Sequence, residues 1–145
     1  MSSKESTKKK LLEILNQSIS REIAVSIQYM WNHVMATGMN AEDIGGVFED
    51  VAKAEMKHAE KFAERIWYLG GEPTTKPTEI KVVKDGNIKK MLEDGVTAEK
   101  EAIALYRSAV KVAMEADDPV SRLLYEEILG DEEGHDDKFT TLLGR

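Results

Sequence analysis

Residues 54–73 read AEMKHAEKFAERIWYLGGEP, and within them Glu55 and His58 stand three positions apart. On a helix that spacing puts both side chains on one face. The same face runs through Ile44, Phe48, Val51, Phe62 and Leu69, so the pair lies on an apolar seam and not on a solvated surface. The pattern predicts a helix from about Ala41 to Leu69, with Asn40 as its N-cap and Gly70-Gly71 ending it.

Outward from this stretch, three more helical seams follow. The first helix is expected from about Lys4 to Thr37, with Leu12, Leu15, Ile19, Glu22, Ser26, Tyr29 and His33 facing inward and Gly38 stopping it. A third runs from about Ile88 to Ala116 through Leu92, Gly95, Glu99, Ala102, Tyr106, Ala109 and Ala113. Asp118-Pro119 then supplies a cap followed by proline at the first helical position. The fourth helix reaches about Leu143 through Tyr125, Ile128, Glu132, His135, Phe139 and Leu142. The links after the first and third helices are short, which makes antiparallel neighbours. Residues 71–87, broken by Pro73 and Pro77, are long enough to run the length of the bundle. The expected fold class is all-α: one four-helix-bundle domain over 1–145, with residues 1–9 as a flexible arm and 71–87 as the crossover.

The seams carry glutamates where a core would take leucine: Glu22, Glu55, Glu99 and Glu132. An unpartnered interior carboxylate costs several kcal/mol. On the seams no Lys or Arg stands beside them apart from Arg65, near the end of the second helix. A bound cation is then the expected compensation. Glu132 and His135 repeat the Glu-x-x-His spacing, so each pair can reach one ion, and Glu22 and Glu99 add two further carboxylates. Four carboxylates balance two divalent ions. Imidazole mixed with carboxylate suits iron or manganese, and zinc is compatible with the same donors. Which carboxylates would bridge is left open by the pattern.

Glu22 and Glu99 are 77 positions apart, as are Glu55 and Glu132, and His58 and His135. Tyr29 and Tyr106 obey the same offset, as do Phe48/Tyr125, Val51/Ile128 and Phe62/Phe139. The chain reads as two helix pairs related by an internal repeat, with a metal pair near the axis between them. The tyrosines suit hydrogen bonds that orient a ligand carboxylate or histidine. His33, three turns from Glu22, reads as a satisfied core or interface histidine.

Composition narrows the function classes. Lys and Arg number 20 against 27 Asp and Glu, a net charge of −7, which argues against general nucleic-acid binding. The chain has no Cys, so thiolate metal sites, disulfides and cysteine nucleophiles are excluded. No apolar run approaches the ~20 residues of a membrane span, and MSSKESTKKK is not followed by the apolar core of a secretory signal. The expected location is the cytoplasm. Lys8, Lys9 and Lys10 read as a solvated, fraying helix start.

The segments AEMKHAEKFAERIWYLGGEP, EILGDEEGHDDKF (127–139) and REIAVSIQY (21–29) resemble the ferritin-like superfamily and, within it, the bacterioferritins. The likeness covers about residues 10–143. It implies a ferritin-like bundle and a ferroxidase: two iron ions per subunit held by Glu22, Glu55, His58, Glu99, Glu132 and His135, with Fe(II) oxidised by O₂ or peroxide and then stored. It further implies haem b bound at a subunit interface through the methionine after the second-helix glutamate, here Met56. One residue along a helix turns about 100°, so Met56 should face away from the metal pair. Two such thioethers on one haem require a homo-oligomer built from twofold dimers, up to a hollow shell.

Some positions depart from the family pattern. An additional His/Asp iron site on the second helix would fall at Asp50 and Ala54 and is incomplete. The short fifth helix would begin where this sequence ends, at Arg145, so the size of the shell is open. Rubrerythrins share the two Glu-x-x-His pairs, but their Cys-ligated iron domain needs cysteines this chain lacks. Two alternatives stand beside iron storage: a di-iron or di-manganese peroxidase or oxidase in a small oligomer, and a Dps-like protective assembly using the basic arm.

Overall fold

The structure is a computed structural model that describes residues 3–145. Four helices account for most of it: α1 (Ser3–Met35), α2 (Ala41–Tyr68), α3 (Ile88–Glu115) and α4 (Pro119–Leu142). The described residues contain no strand. The expected arm is helical from Ser3 onward, so Lys4 to Lys10 form the first turns of α1; Met1 and Ser2 lie outside the described residues. Among the described residues no helix is long and apolar enough to cross a membrane.

Helix ends follow the local chemistry. Asn87 caps α3 by accepting from the Lys90 amide, and Asp118 caps α4 by accepting from the Ser121 amide, with Pro119 inside the first turn. Asn40 holds the cap position of α2, but its side chain makes no capping bond. Gly38 turns the chain between α1 and α2 at φ +104°.

Short links pair α1 with α2 and α3 with α4, and α1 packs against α3. The crossover, 69–87, runs along α1. Asn16 holds it at one point, donating to the Glu72 carbonyl at 3.1 Å and accepting from the Thr74 amide at 2.8 Å. Further on, the Thr78 amide bonds the Ser20 carbonyl, and the Thr37 amide bonds the Gly86 carbonyl. Gly86 has φ +76°, and a Cβ there would stand 2.5 Å from Thr37 Oγ1, so this junction requires glycine.

Two apolar clusters flank the middle of the bundle. One is built around Phe62, Tyr106 and Tyr125, the other around Tyr29, Phe48 and Phe139. These aromatic triads are images of each other under the 77-residue offset. Tyr29–Phe48, Tyr29–Phe139 and Phe48–Phe139 have ring centroids 5.8, 5.5 and 5.2 Å apart; their counterparts measure 5.6, 5.6 and 5.0 Å. The internal repeat is therefore present in space as well as in sequence. Tyr125 adds a hydroxyl that Phe48 lacks, and Ser18 meets it at 2.8 Å. At their ends the seams drift: Leu11 is buried more deeply than Leu12, and Leu142 is exposed. A 3.6-residue turn slips against a strict seven-residue pattern over such lengths.

Candidate metal centre

Between the two aromatic clusters the four helices each deliver one glutamate, and α2 and α4 each add a histidine. Glu22, Glu55, Glu99 and Glu132 are all fully buried. Two groups form in which ligand-type atoms lie within 4.8 Å of one another: Glu22, Glu55, Glu132 with His58, and Glu55, Glu99, Glu132 with His135. Glu55 and Glu132 belong to both, so they are the carboxylates placed between two positions, a distinction the sequence pattern left open.

Six buried atoms here have no hydrogen-bond partner: Oε2 of Glu22, Oε1 of Glu55, Glu99 and Glu132, and Nδ1 of His58 and His135. Each of the six predicted residues contributes one. His58 Nδ1 comes within 3.2–3.5 Å of Glu22, Glu55 and Glu132, and His135 Nδ1 within 3.1–3.5 Å of Glu55, Glu99 and Glu132. Buried polar atoms are normally paired. A set of unsatisfied oxygens and imidazole nitrogens facing one another fits a pair of divalent cations.

The predicted tyrosines cross the bundle. Tyr29 donates to Glu99 Oε2 at 2.5 Å, and Tyr106 donates to Glu22 Oε1. Each thus serves the glutamate of the other repeat. Burial and the adjacent glutamate push both phenols well above their usual range, so they remain donors.

Two residues missed by the sequence reading complete the site. Arg21 is the first, and it corrects the expectation that only Arg65 lay near the seams. Its Nη1 lies 3.2 Å from Glu22, 2.8 Å from Glu55 and 2.5 Å from Glu132, and its Nη2 3.1 Å from Glu99. Its Cα sits off the seam, but a long side chain reaches around the helix. Arg65 instead lies at the end of the bundle on Asp118. The second is Asp131, whose carboxylate meets His58 Nε2 at 2.9 Å. The repeat held a signal for both. Position 98, the counterpart of Arg21, is alanine, and so is position 54, the counterpart of Asp131. At each place one repeat carries a charge where the other carries a methyl group.

Charge is unevenly shared. Burial opposes ionisation of Glu55, but Arg21, His135 and His58 outweigh it and hold its carboxyl well below the usual range. Burial together with the other three glutamates pushes Glu132 well above that range, despite Arg21. Burial works against the histidine cations too, yet Glu22 and Glu55 raise His58 to about 11, and Glu55 and Glu99 raise His135 to about 10.

Met56 points outward and is 49% exposed. It lies in a groove with Ile19, Ile23, Ala59 and Ala63, flanked by Lys53 and Lys57. His33 is satisfied, as expected, by the Gly45 carbonyl at 2.8 Å and Glu49 at 3.1 Å. Asp50 is exposed and Ala54 offers no ligand atom.

Residues 12–145 match a model of the ferritin-like domain. The bacterioferritin of Desulfovibrio desulfuricans is 36% identical over 132 residues, covering 91% of this chain and 73% of that one. Its crystal structure, which describes a diiron site in different catalytic states, superposes with a TM-score of 0.91 at 33% identity, over 99% of this chain and 84% of that one. A ferritin-like diiron-carboxylate protein of Bacillus anthracis gives 0.90 at 30% identity, covering 99% of both chains. The bacterioferritin of Rhodobacter capsulatus, described with a metal-free dinuclear site and haem iron, gives 0.85 at 27% identity, over 94% of this chain and 84% of that one.

Proposed function

Since the chain belongs to the ferritin-like family, and within it to the bacterioferritins, we propose that it oxidises and stores iron in the cytoplasm, as a homo-oligomer of twofold dimers. The observation that carries this reading is the set of six unsatisfied buried atoms, one from each of Glu22, Glu55, His58, Glu99, Glu132 and His135. Glu22 and His58 would hold one iron ion, Glu99 and His135 the other, and Glu55 and Glu132 would span both. Iron bound there supplies electrons to O₂ or peroxide.

The chain's own groups prepare that chemistry. Tyr29 fixes Oε2 of Glu99 and leaves Oε1 toward His135, while Tyr106 holds Oε1 of Glu22, the oxygen nearest His58, and leaves Oε2 without a partner. Asp131 holds His58 by Nε2 and so directs Nδ1 at the carboxylates. The aromatic clusters on both sides keep bulk water from the centre.

Haem would be held by the exposed thioether of Met56 in its apolar groove, together with the same residue of a twofold-related copy. Lys53 and Lys57 at the groove's edge suit its acidic side chains.

Stopped-flow oxidation of Fe(II) tests the centre. Glu55→Ala and His58→Ala should each slow it at least tenfold, and parent-like rates in both would overturn the assignment. A Soret band in native particles that is lost in Met56→Leu supports the haem site; a band that persists refutes Met56. A native mass no larger than a dimer would leave oxidation without storage.

A further inference from the structure

The four buried glutamates already hold a cation. Arg21 touches all of them, and its Nη1 alone meets Glu22, Glu55 and Glu132, the three carboxylates that group with His58. A guanidinium does not lose its proton in a protein. It therefore stands as a permanent positive charge on one oxygen of each carboxylate, Oε1 of Glu22 and Oε2 of Glu55, Glu99 and Glu132, beside the unsatisfied oxygens that divalent ions would take. Two divalent ions neutralise four carboxylates by themselves. A guanidinium kept among them would be a buried, uncompensated charge beside two like charges, which is strongly unfavourable.

Three features give Arg21 somewhere to go. Its Nε is buried without a hydrogen-bond partner, so its present pose is not fully satisfied. It also lines a cavity of about 110 Å³ between α1, α3 and the crossover, whose walls carry three acids, Glu79, Asp94 and Glu101, against one base, Lys81; Asp94 is paired with Lys90, which leaves Glu79 and Glu101 to receive a guanidinium. The repeat supplies no second arginine: the counterpart is Ala98, whose carbonyl accepts from Arg21 Nη2 at 3.2 Å. One side chain on one helix thus serves all four glutamates, and one movement releases them.

We propose that Arg21 is a displaceable counter-cation, which holds the glutamate cluster together in the metal-free chain and leaves it for the cavity lined by Glu79 and Glu101 when divalent ions enter. The inference rests on the six residues being metal ligands. Its consequence is competition: the free energy of Arg21 with the carboxylates is subtracted from metal affinity. The metal-free fold gains what the metal site loses.

Titration with Co(II), a redox-inert probe with visible bands, tests this on the full chain. Arg21→Met should bind two Co(II) per subunit with a Kd at least tenfold lower than the parent. Its metal-free melting temperature should fall below the parent's, and saturating Co(II) should close that gap. If the parent binds two ions and the variant binds them no more tightly, the displacement idea is wrong while the metal centre stands. If neither protein binds Co(II), both readings fall. Should Arg21→Met not fold, arginine modification of the unaltered chain by phenylglyoxal, mapped by peptide mass, decides the matter. Co(II) should speed modification of Arg21 severalfold; an unchanged or slower rate overturns the proposal.

Discussion

Tyr29, on the first helix, donates its hydroxyl to Glu99 of the third at 2.5 Å, so each repeat orients a carboxylate of the other. Tyr106 does the same for Glu22. Removing either hydroxyl takes one donor from a carboxylate oxygen that Arg21 also holds, and leaves the rest of the set in place. Tyr29→Phe should weaken metal binding on the Glu99–His135 side, and Tyr106→Phe on the Glu22–His58 side, each by about 10–100-fold, the usual scale for a partner one shell out from a metal. Two-step Co(II) titrations would resolve the sides. Unchanged affinities in both variants would reduce the tyrosines to packing.

Asp131 breaks the symmetry of the centre. It holds His58 Nε2 at 2.9 Å, whereas Ala54 occupies the corresponding place for His135. Asp131→Ala should therefore lower affinity on the His58 side alone, by roughly tenfold or more, and bring the two steps of a titration closer if that side is the tighter one. An equal loss on both sides would show that Asp131 acts through overall charge and not through one imidazole.

The metal-free protein should lose stability in alkali. Folding raises His58 to about 11 and His135 to about 10, from an ordinary value near 6.5. A group whose value is raised binds its proton more tightly in the fold, so its contribution is complete below about pH 6.5. The contribution declines above that and is gone once the pH passes 10 to 11. Glu132, raised by burial and its neighbouring carboxylates, changes stability in the same direction as its proton leaves. Melting temperatures of chelator-treated protein should fall from pH 7 toward pH 11, and a flat profile would contradict the charge arrangement. Metal uptake near pH 7 should release protons, because ligating imidazoles must be neutral. Calorimetry in buffers of different ionisation enthalpy measures that release.

Asp118 joins the two halves of the bundle at one end. It caps α4 through the Ser121 amide and receives Arg65 Nη2 on both oxygens, at 2.7 and 2.8 Å. Asp118→Ala removes the cap and strands a mostly buried guanidinium, a loss of about 2 kcal/mol or more in denaturant unfolding. Asp118→Asn keeps the cap and should lose less. Equal losses would assign the whole effect to the ion pair.

Much of this site was legible in the one-dimensional pattern. An apolar seam sets the direction of each Cβ to within a fraction of a turn, so Glu55, His58, Glu132 and His135 could be placed inward from spacing alone. The seams placed Glu22 and Glu99 in the same way, the 77-residue offset tied the two halves together and singled out the tyrosines, and the aromatic triads reproduce that offset to within about 0.2 Å in centroid distance. Met56 faces outward for the same reason, being one residue beyond a seam position. Asp131 and Arg21 each precede a seam glutamate and so appeared to point elsewhere.

The sequence by itself determined four helices, their pairing and the six residues that converge, because hydrophobic periodicity and link length are local properties of the chain. Only the tertiary structure decided which carboxylates are shared, that the tyrosines cross between repeats, and that Arg21 stands among the four glutamates. Those depend on how closely helices distant in sequence approach, and on the reach of a long side chain whose Cα position says little about where its charge comes to rest.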